Sequence, residues 1–447
     1  MNDRKKILLK TFGCQMNRLD SELILSSLLG DGYVATPEEG DADVILFNTC
    51  SVRRHAEEKV FSQLGLLKAL KSAKPGLVVG VIGCMAVNRH RDIRSSMPFV
   101  NLICGPGQFY CLPGLINRAF AGENVLAVEE TNRAPARKGT RRESPFRASI
   151  AVMRGCDNFC SYCVVPFVRG RETSRPVDEV VEEARRLADD GCIEITLLGQ
   201  NVSRYGRNLA PRADLADLLV RMNEIEGLQR IRFITSHPAS MSEKILDAMA
   251  SLDKVCEYLH LPAQSGSDRI LKAMKRGYDA ARYGEILDYA RANVPGIEIA
   301  SDFIVGFPGE TEKDFAASLE LVESADFLNC FVFKYSPRPG TAAAELPDDV
   351  PPKEKKRRNN ILLEAQEKIS LRRRKELIGK TVEVVVEGPS ARNPAMAVGR
   401  TSNNYIAHFE AGEELTGKVA QVEITAATPL TVSGKLPACC KRTEDTH

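Results

Sequence analysis

Cys156, Cys160 and Cys163 stand in the run RGCDNFCSYC, a C-x3-C-x2-C spacing. Thiolates hold [4Fe–4S] clusters one per iron, so three local ligands leave one iron open to a substrate or cofactor. The alternative is zinc, but a structural zinc closes its shell with a fourth Cys or His. The nearest downstream histidine is His237, so no local fourth ligand exists. Three further cysteines each end an apolar run: ILLKTFGC at Cys14, DVILFNTC at Cys50 and LVVGVIGC at Cys84. The chain has 13 cysteines, an odd number in a long chain, which speaks against a disulfide framework. Cys104, Cys111, Cys192, Cys256 and Cys330 match no motif and read as buried or incidental, as does the Cys439–Cys440 pair.

The elements that carry these cysteines explain how they meet. Continuous Val/Ile/Leu runs alternating with amphipathic helical segments indicate a parallel sheet covered on both faces. In such a sheet the carboxyl ends of all strands share one edge, where ligands bind. Cys14, Cys50 and Cys84, each at a strand's carboxyl tip, should therefore converge.

A polar, basic stretch, 132–147, reads as a linker. Six strand-like runs follow, at 149–153, 193–198, 231–235, 257–261, 297–305 and 330–335, with helical segments between. They predict a partial β/α barrel or open α/β sheet. After 376 the pattern turns to short strands between Gly, Asn and Pro turns, as in a small OB-like β-barrel. The expected fold is α/β. An N-terminal parallel α/β unit spans 1–131, the linker 132–147, and the partial barrel with a C-terminal basic helix 148–376. The small all-β barrel covers 377–438, and a tail 439–447.

The start MNDRKKILLKTFG lacks the apolar stretch and cleavage site of a signal peptide, and no apolar run approaches the ~20 residues of a membrane span. These features predict a cytoplasmic protein with no membrane partner. Net charge is only +2. Positive charge is nevertheless concentrated in the linker and in the helix at 353–376, where a polyanion could bind. A solvated linker and an exposed helix are the alternative.

The triad at Cys156, Cys160 and Cys163, with Tyr162 before the last cysteine, resembles the radical S-adenosylmethionine superfamily. TFGCQMN, FNTCSVR, IGCMA, LLGQNV, HLPAQSGS, DFIVGFPGET and YSPRPGT extend the likeness to the methylthiotransferases, in order along almost the whole chain. The small barrel resembles the TRAM domain of RNA-modifying enzymes. Gln15-Met16-Asn17 and Ser51-Val52-Arg53 resemble the MiaB branch, which acts on tRNA adenosine already bearing an isopentenyl group beside the anticodon. The ribosomal-protein branch typically has Pro-Lys and Gly-Phe at these places, and the threonylcarbamoyl-adenosine branch Lys-Val and Thr-Val.

The resemblance implies two [4Fe–4S] clusters, one on Cys14, Cys50 and Cys84 and one on Cys156, Cys160 and Cys163. S-adenosylmethionine would chelate the open iron of the second. Tyr162 would lie near its adenine, and Gly199, Gln200 and Asn201 near its methionyl group. Gln264, Ser265, Gly266 and Gly306 are further cofactor-binding candidates, with plain strand-to-helix turns as the alternative. The implied reaction is methylthiolation of carbon 2 of isopentenyl-adenosine 37, through a deoxyadenosyl radical and a second S-adenosylmethionine as methyl donor. The implied partners are the tRNA anticodon stem-loop and an electron donor such as flavodoxin or ferredoxin, with the protein a monomer. Arg372, Arg373, Arg374, Lys355, Lys356, Arg357 and Arg358 are the expected RNA-binding residues. Two alternatives stand beside this: the same chemistry on a ribosomal-protein side chain, and a non-catalytic iron–sulfur RNA-binding protein.

Overall fold

The computed structural model describes residues 4–51, 54–131, 137 and 142–437. Its first sheet has six parallel strands, ordered Val34–Ala35, Lys6–Phe12, Val44–Thr49, Val78–Ile82, Leu102–Cys104 and Val125–Ala127. The two central strands are buried along their whole length, because helices cover both faces. One face packs Ile24, Leu28, Phe109 and Ile116 and the other Val60, Leu64, Leu67 and Ile93.

The second unit is a six-stranded partial barrel. Arg147–Ala151, Glu194–Leu198 and Arg230–Ile234 form one parallel sheet, and Tyr258–His260, Glu298–Val305 and Asn329–Lys334 another. They adjoin through the parallel bridge of Ile231 to Val255, just ahead of Tyr258, and through the Ser236 N–H, which donates to the His260 carbonyl (3.3 Å). The basic helix Pro352–Lys375 lies against the last barrel strand and the helix Glu312–Ala325. The strands Thr381–Pro389, Met396–Arg400, Ile406–Glu410, Val419–Ala427 and Val432–Lys435 close a separate five-stranded barrel around Val384, Phe409, Val422 and Ile424. No helix among the described residues is long and apolar enough to cross a membrane.

The packing of the three units decides which faces stay open. The N-terminal unit caps the carboxyl ends of the partial barrel. Met16, Leu19 and Leu23 of its first helix pack on Ala151, Leu198 and Ile234 at three strand tips. The small barrel sits at the opposite, amino-terminal end. Arg230 donates to the Arg400 carbonyl (2.7 Å), and Arg232 to the carbonyls of Ser402 and Thr401 (2.7 Å each). Tyr405 donates its hydroxyl to Glu298 at 2.6 Å, and Glu298 opens its strand.

Candidate active site

Cys14, Cys50 and Cys84 do stand at the tips of three adjacent strands, and the chain turns sharply before two of them. Gly13 (φ +137°) lies so close to Cys50 that a Cβ there would come within 2.4 Å of the Cys50 Cβ. Gly83 (φ +92°) faces Asn48 Oδ1, where a Cβ would come within 2.5 Å. These glycines let the three thiols crowd one edge. Behind them, Cys14 donates to Asn17 Oδ1 (3.0 Å), and Asn17 donates to Asn48 Oδ1 (3.0 Å). Asn48 donates to the Asn17 carbonyl and to Ser21 Oγ, each 2.9 Å away. Asn17 and Asn48 are fully buried, so this net fixes the helix that starts at Gln15.

The Cys14 thiol is pulled down to about 6, first by its hydrogen bond with Cys50 and then by the charge of Arg169. Burial pushes Cys84 up, and Arg169 opposes it. Burial likewise raises Cys156 to about 11 and Cys163 to about 12. Metal ligation deprotonates such thiols, so loading the buried ones releases protons.

The second triad lies in the loop leaving the first barrel strand. Each triad has one buried arginine aimed at a sulfur. Arg169 donates Nε–H to Cys84 at 3.2 Å, and Arg276 donates Nη1–H to Cys160 at 3.5 Å. Arg276 also reaches the Pro262 carbonyl (2.9 Å) and the Tyr162 hydroxyl (3.3 Å). Asp20, fully buried, accepts from Arg169 and Arg154 at 2.9 Å each. Cys84, Val87, Val164 and Val168 form a small apolar cluster across the same boundary. The sequence reading missed Arg169, Arg276 and Asp20. Their partners are remote in the chain.

The donors fit the implied groups. Among the described residues no three His, Cys, Asp or Glu side chains are gathered as ligands of a single ion. A cubane binds each thiolate through a different iron and accepts a wider spread. At the carboxyl ends of the next strands, Gln200 Oε1, Asn201 Oδ1, Ser203 Oγ, Ser236 Oγ, His237 Nε2 and Gln264 Oε1 are buried with no hydrogen-bond partner among the described residues. Such atoms ask for a polar ligand, and the amino, carboxylate and ribose groups of S-adenosylmethionine supply matching donors and acceptors. Gln264 also holds a left-handed φ of +70°, as does Thr235, a strain found at ligand sites. His237 is held neutral, its pKa driven down to about 2 by burial and then by Arg276 and Arg204. Ser236 and His237 had no motif to mark them.

Other expected cofactor contacts have different occupations. Ser265 and Gly266 face the Ser318 hydroxyl, Gly266 donating to it at 2.9 Å. A Cβ on Gly266 would come within 2.2 Å of the Ala317 carbonyl oxygen, so this glycine serves helix packing. Gly306 donates to Glu310 Oε2 (2.7 Å) and adjoins the Lys355 stem. Gly199 lies against Met153, and the Tyr162 ring against Ile270, Met274 and Phe307.

The expected basic face needs correction. Lys355, Arg358 and Arg374 are buried: Lys355 pairs with Asp348, Arg358 with Glu310 (2.7 Å), and Arg374 donates to the Leu328 carbonyl (3.3 Å). Arg373 pairs with Glu298 (2.7 Å) and Asp326, Arg372 with Asp326, and Arg357 with Glu354 and Glu312 (2.6 Å each). These side chains fasten the helix to the barrel, so the charge counted in sequence is largely neutralised internally. Of the seven, Lys356 is exposed and makes no ion pair among the described residues; Lys368 and Lys375 of the same helix are exposed as well. In the linker, Arg137 is buried against Glu22 and Glu183, Arg142 pairs with Asp190 (2.7 Å) and Arg147 with Glu387. Arg133, Lys138 and Arg141 lie outside the described residues, as do Cys439 and Cys440.

Comparison with known proteins agrees with this layout. Family models match at 6–105 (uncharacterized protein family UPF0004), 150–322 (radical SAM superfamily) and 375–436 (TRAM domain). The chain is 44% identical over 432 residues to the tRNA-2-methylthio-N(6)-dimethylallyladenosine synthase of Thermoanaerobacter sp. (strain X514), covering 96% of this chain and 92% of that one. It belongs to that synthase family. The Moorella thermoacetica synthase is 43% identical over 437 residues, covering 97% and 98% of the two chains. Among solved structures, the radical S-adenosylmethionine methyltransferase TsrM from Kitasatospora setae matches with a TM-score of 0.54 at 16% identity, covering 76% of this chain and 77% of that one. That likeness concerns the fold alone. As a radical SAM member of the synthase family, the chain is a methylthiotransferase that takes a [4Fe–4S] cluster and S-adenosylmethionine.

Proposed function

We propose that this chain inserts a methylthio group at carbon 2 of N6-isopentenyl-adenosine 37, beside the anticodon of tRNA. In this reading Cys14, Cys50 and Cys84 hold one [4Fe–4S] cluster and Cys156, Cys160 and Cys163 the other. When bound, the clusters and S-adenosylmethionine supply one-electron chemistry, sulfur and a methyl group, because no side-chain base can open an unacidic aromatic C–H bond. Gln200, Asn201, Gln264, Ser236 and neutral His237 orient the polar groups of S-adenosylmethionine. The helix Gln15–Gly30 lies over the barrel mouth and keeps water out. Arg169 and Asp20 hold the two cysteine sites at one separation.

The observation that carries this reading is the meeting of both cysteine triads at one domain boundary, across the Arg169–Cys84 hydrogen bond. The target base must leave its stack to enter, which costs least in a single-stranded loop. Exposed Lys356, Lys368 and Lys375 and the TRAM barrel contact tRNA phosphates away from the mouth. A flavodoxin or ferredoxin delivers electrons. The test is mass spectrometry of tRNA nucleosides after anaerobic incubation with reductant and S-adenosylmethionine. A 2-methylthio-N6-isopentenyladenosine product is expected. Methylthio product on a ribosomal protein instead, or no product, would overturn the reading.

A further inference from the structure

Arg276 stands just beyond the short helix Asp268–Ala273, in the turn that ends it. Its N–H reaches back to the Leu271 carbonyl at 3.0 Å, and Lys275 takes a left-handed φ of +56°. The same turn holds the loop of the second cysteine triad. Ser161, buried beside Cys160, donates its N–H to the Met274 carbonyl (3.0 Å) and its hydroxyl to the Ala273 carbonyl (2.8 Å). The backbone thus sets Arg276 against Cys160.

The Arg276 side chain is buried, the residue only 5% exposed, and its partners are neutral apart from the sulfur. Nη2 donates to the Pro262 carbonyl at 2.9 Å and Nε to the Tyr278 hydroxyl at 3.2 Å. Nη1 donates to the Tyr162 hydroxyl (3.3 Å) and to the Cys160 sulfur (3.5 Å). Tyrosine hydroxyls carry no charge near neutral pH. Among the described residues no Asp or Glu pairs with this guanidinium. Arg169 at the other triad differs, because the Asp20 carboxylate accepts from it at 2.9 Å. A buried charge is unfavourable unless an opposite charge meets it. For Arg276 the anion within reach is the second triad.

Three thiolates and an oxidised [4Fe–4S] core carry one net negative charge, and one-electron reduction adds a second. A neighbouring cation favours the more negative form, and hydrogen bonds to the sulfurs help set the potential. Resting on the cluster assignment proposed above, we infer that Arg276 raises the reduction potential of the cluster on Cys156, Cys160 and Cys163, bringing it within reach of a low-potential one-electron donor. Arg276 is a positioning residue, acting through the Cys160 sulfur.

The test is an EPR-monitored redox titration of the reconstituted full-length chain in two backgrounds. In the first, Cys14, Cys50 and Cys84 are changed to Ala, so only the second triad holds iron. In the second, Cys156, Cys160 and Cys163 are changed instead. In the first background Arg276→Met, which removes charge and donors, should raise the oxidised-to-reduced ratio at the unsubstituted midpoint about tenfold. That is a fall of about 59 mV for a one-electron couple. Arg276→Lys, which keeps the charge, should recover most of the shift, and Arg276→Gln little of it. No variant should move the midpoint in the second background, whereas a general loosening of the fold would. Iron content and thermal midpoint are read alongside. Should Arg276→Met hold no iron, the difference between Arg276→Lys and Arg276→Gln carries the same test. Equal midpoints for those two, or equal shifts in both backgrounds, would overturn the inference. Loss of iron from both would do so too, making Arg276 a structural brace. An unchanged midpoint with weaker S-adenosylmethionine binding would make Arg276 a contact of that ligand alone, and the inference would again be wrong. If the first background with Arg276 intact holds no iron, the cluster assignment itself fails. Iron held with a midpoint that no variant moves sinks only this inference.

Discussion

Arg169 belongs to the barrel and Cys84 to the N-terminal sheet, and the Arg169 Nε–H donates to the Cys84 sulfur across the boundary at 3.2 Å. The same guanidinium reaches Asp20 at 2.9 Å. Burial pushes the Asp20 carboxyl up, yet Arg169 and Arg154 together hold it below its ordinary value. One buried carboxylate thus neutralises two cations from the neighbouring unit and orients one of them on a sulfur.

Asp20→Ala should strip both arginines of their counterion. Breaking a buried ion pair from one side costs about 3–5 kcal/mol. The expected outcome is a lower denaturation midpoint, with protease cleavage appearing first between the N-terminal unit and the barrel. Limited proteolysis and urea melts of wild type and variant check it. A midpoint shift below about 0.5 kcal/mol, the scale of ordinary surface substitutions, would remove Asp20 from its role as an anchor.

The two triads should load independently. Anaerobic reconstitution should give about eight irons per chain, two cubanes. Cys156→Ala, Cys160→Ala and Cys163→Ala together should leave about four and abolish S-adenosylmethionine cleavage. Changing Cys14, Cys50 and Cys84 to Ala should also leave about four, but spare cleavage and stop methylthio insertion. Iron analysis and deoxyadenosine assays read both arms.

The helix Pro352–Lys375 carries two kinds of cation. Replacing exposed Lys356, Lys368 and Lys375 with Ala should lower tRNA affinity, each lost contact flattening the log–log salt slope by roughly 0.7–0.9. Thermal stability should hold. Arg373→Ala should do the reverse, because it frees Glu298, which also accepts from Tyr405 in the small barrel. Its melting temperature should fall while the salt slope stays. Affinity at two salt concentrations, beside a melt, separates the two classes.

His237 should make stability depend on pH. Its pKa lies near 2 in the folded protein, against about 6.5 unfolded, so below 6.5 the unfolded chain binds the extra proton. The contribution is fully present above about pH 6.5 and is lost progressively as pH falls toward the folded value, by about 1.4 kcal/mol per pH unit. His237→Asn should flatten that part of the profile. Urea midpoints between pH 7.5 and 5 measure it, and identical slopes in both proteins would contradict the assignment.

The cysteine spacings and apolar periods are local properties, so the sequence alone settled the parallel sheet, the small β-barrel and the strand-tip position of Cys14, Cys50 and Cys84, and left the central unit between a partial barrel and an open sheet. A C-x3-C-x2-C loop needs no remote partner to be recognised. What charge counting could not settle was which cations face water. Lys355, Arg358 and Arg374 lie on the buried side of their helix because Asp348, Glu310 and the Leu328 carbonyl wait there, each remote in sequence or set by another element. The Arg169–Asp20–Arg154 anchor and the Glu57–Arg338 ion pair were equally hidden. Each joins side chains separated by more than a hundred residues, and only the docking of the N-terminal unit on the barrel mouth brings them within reach.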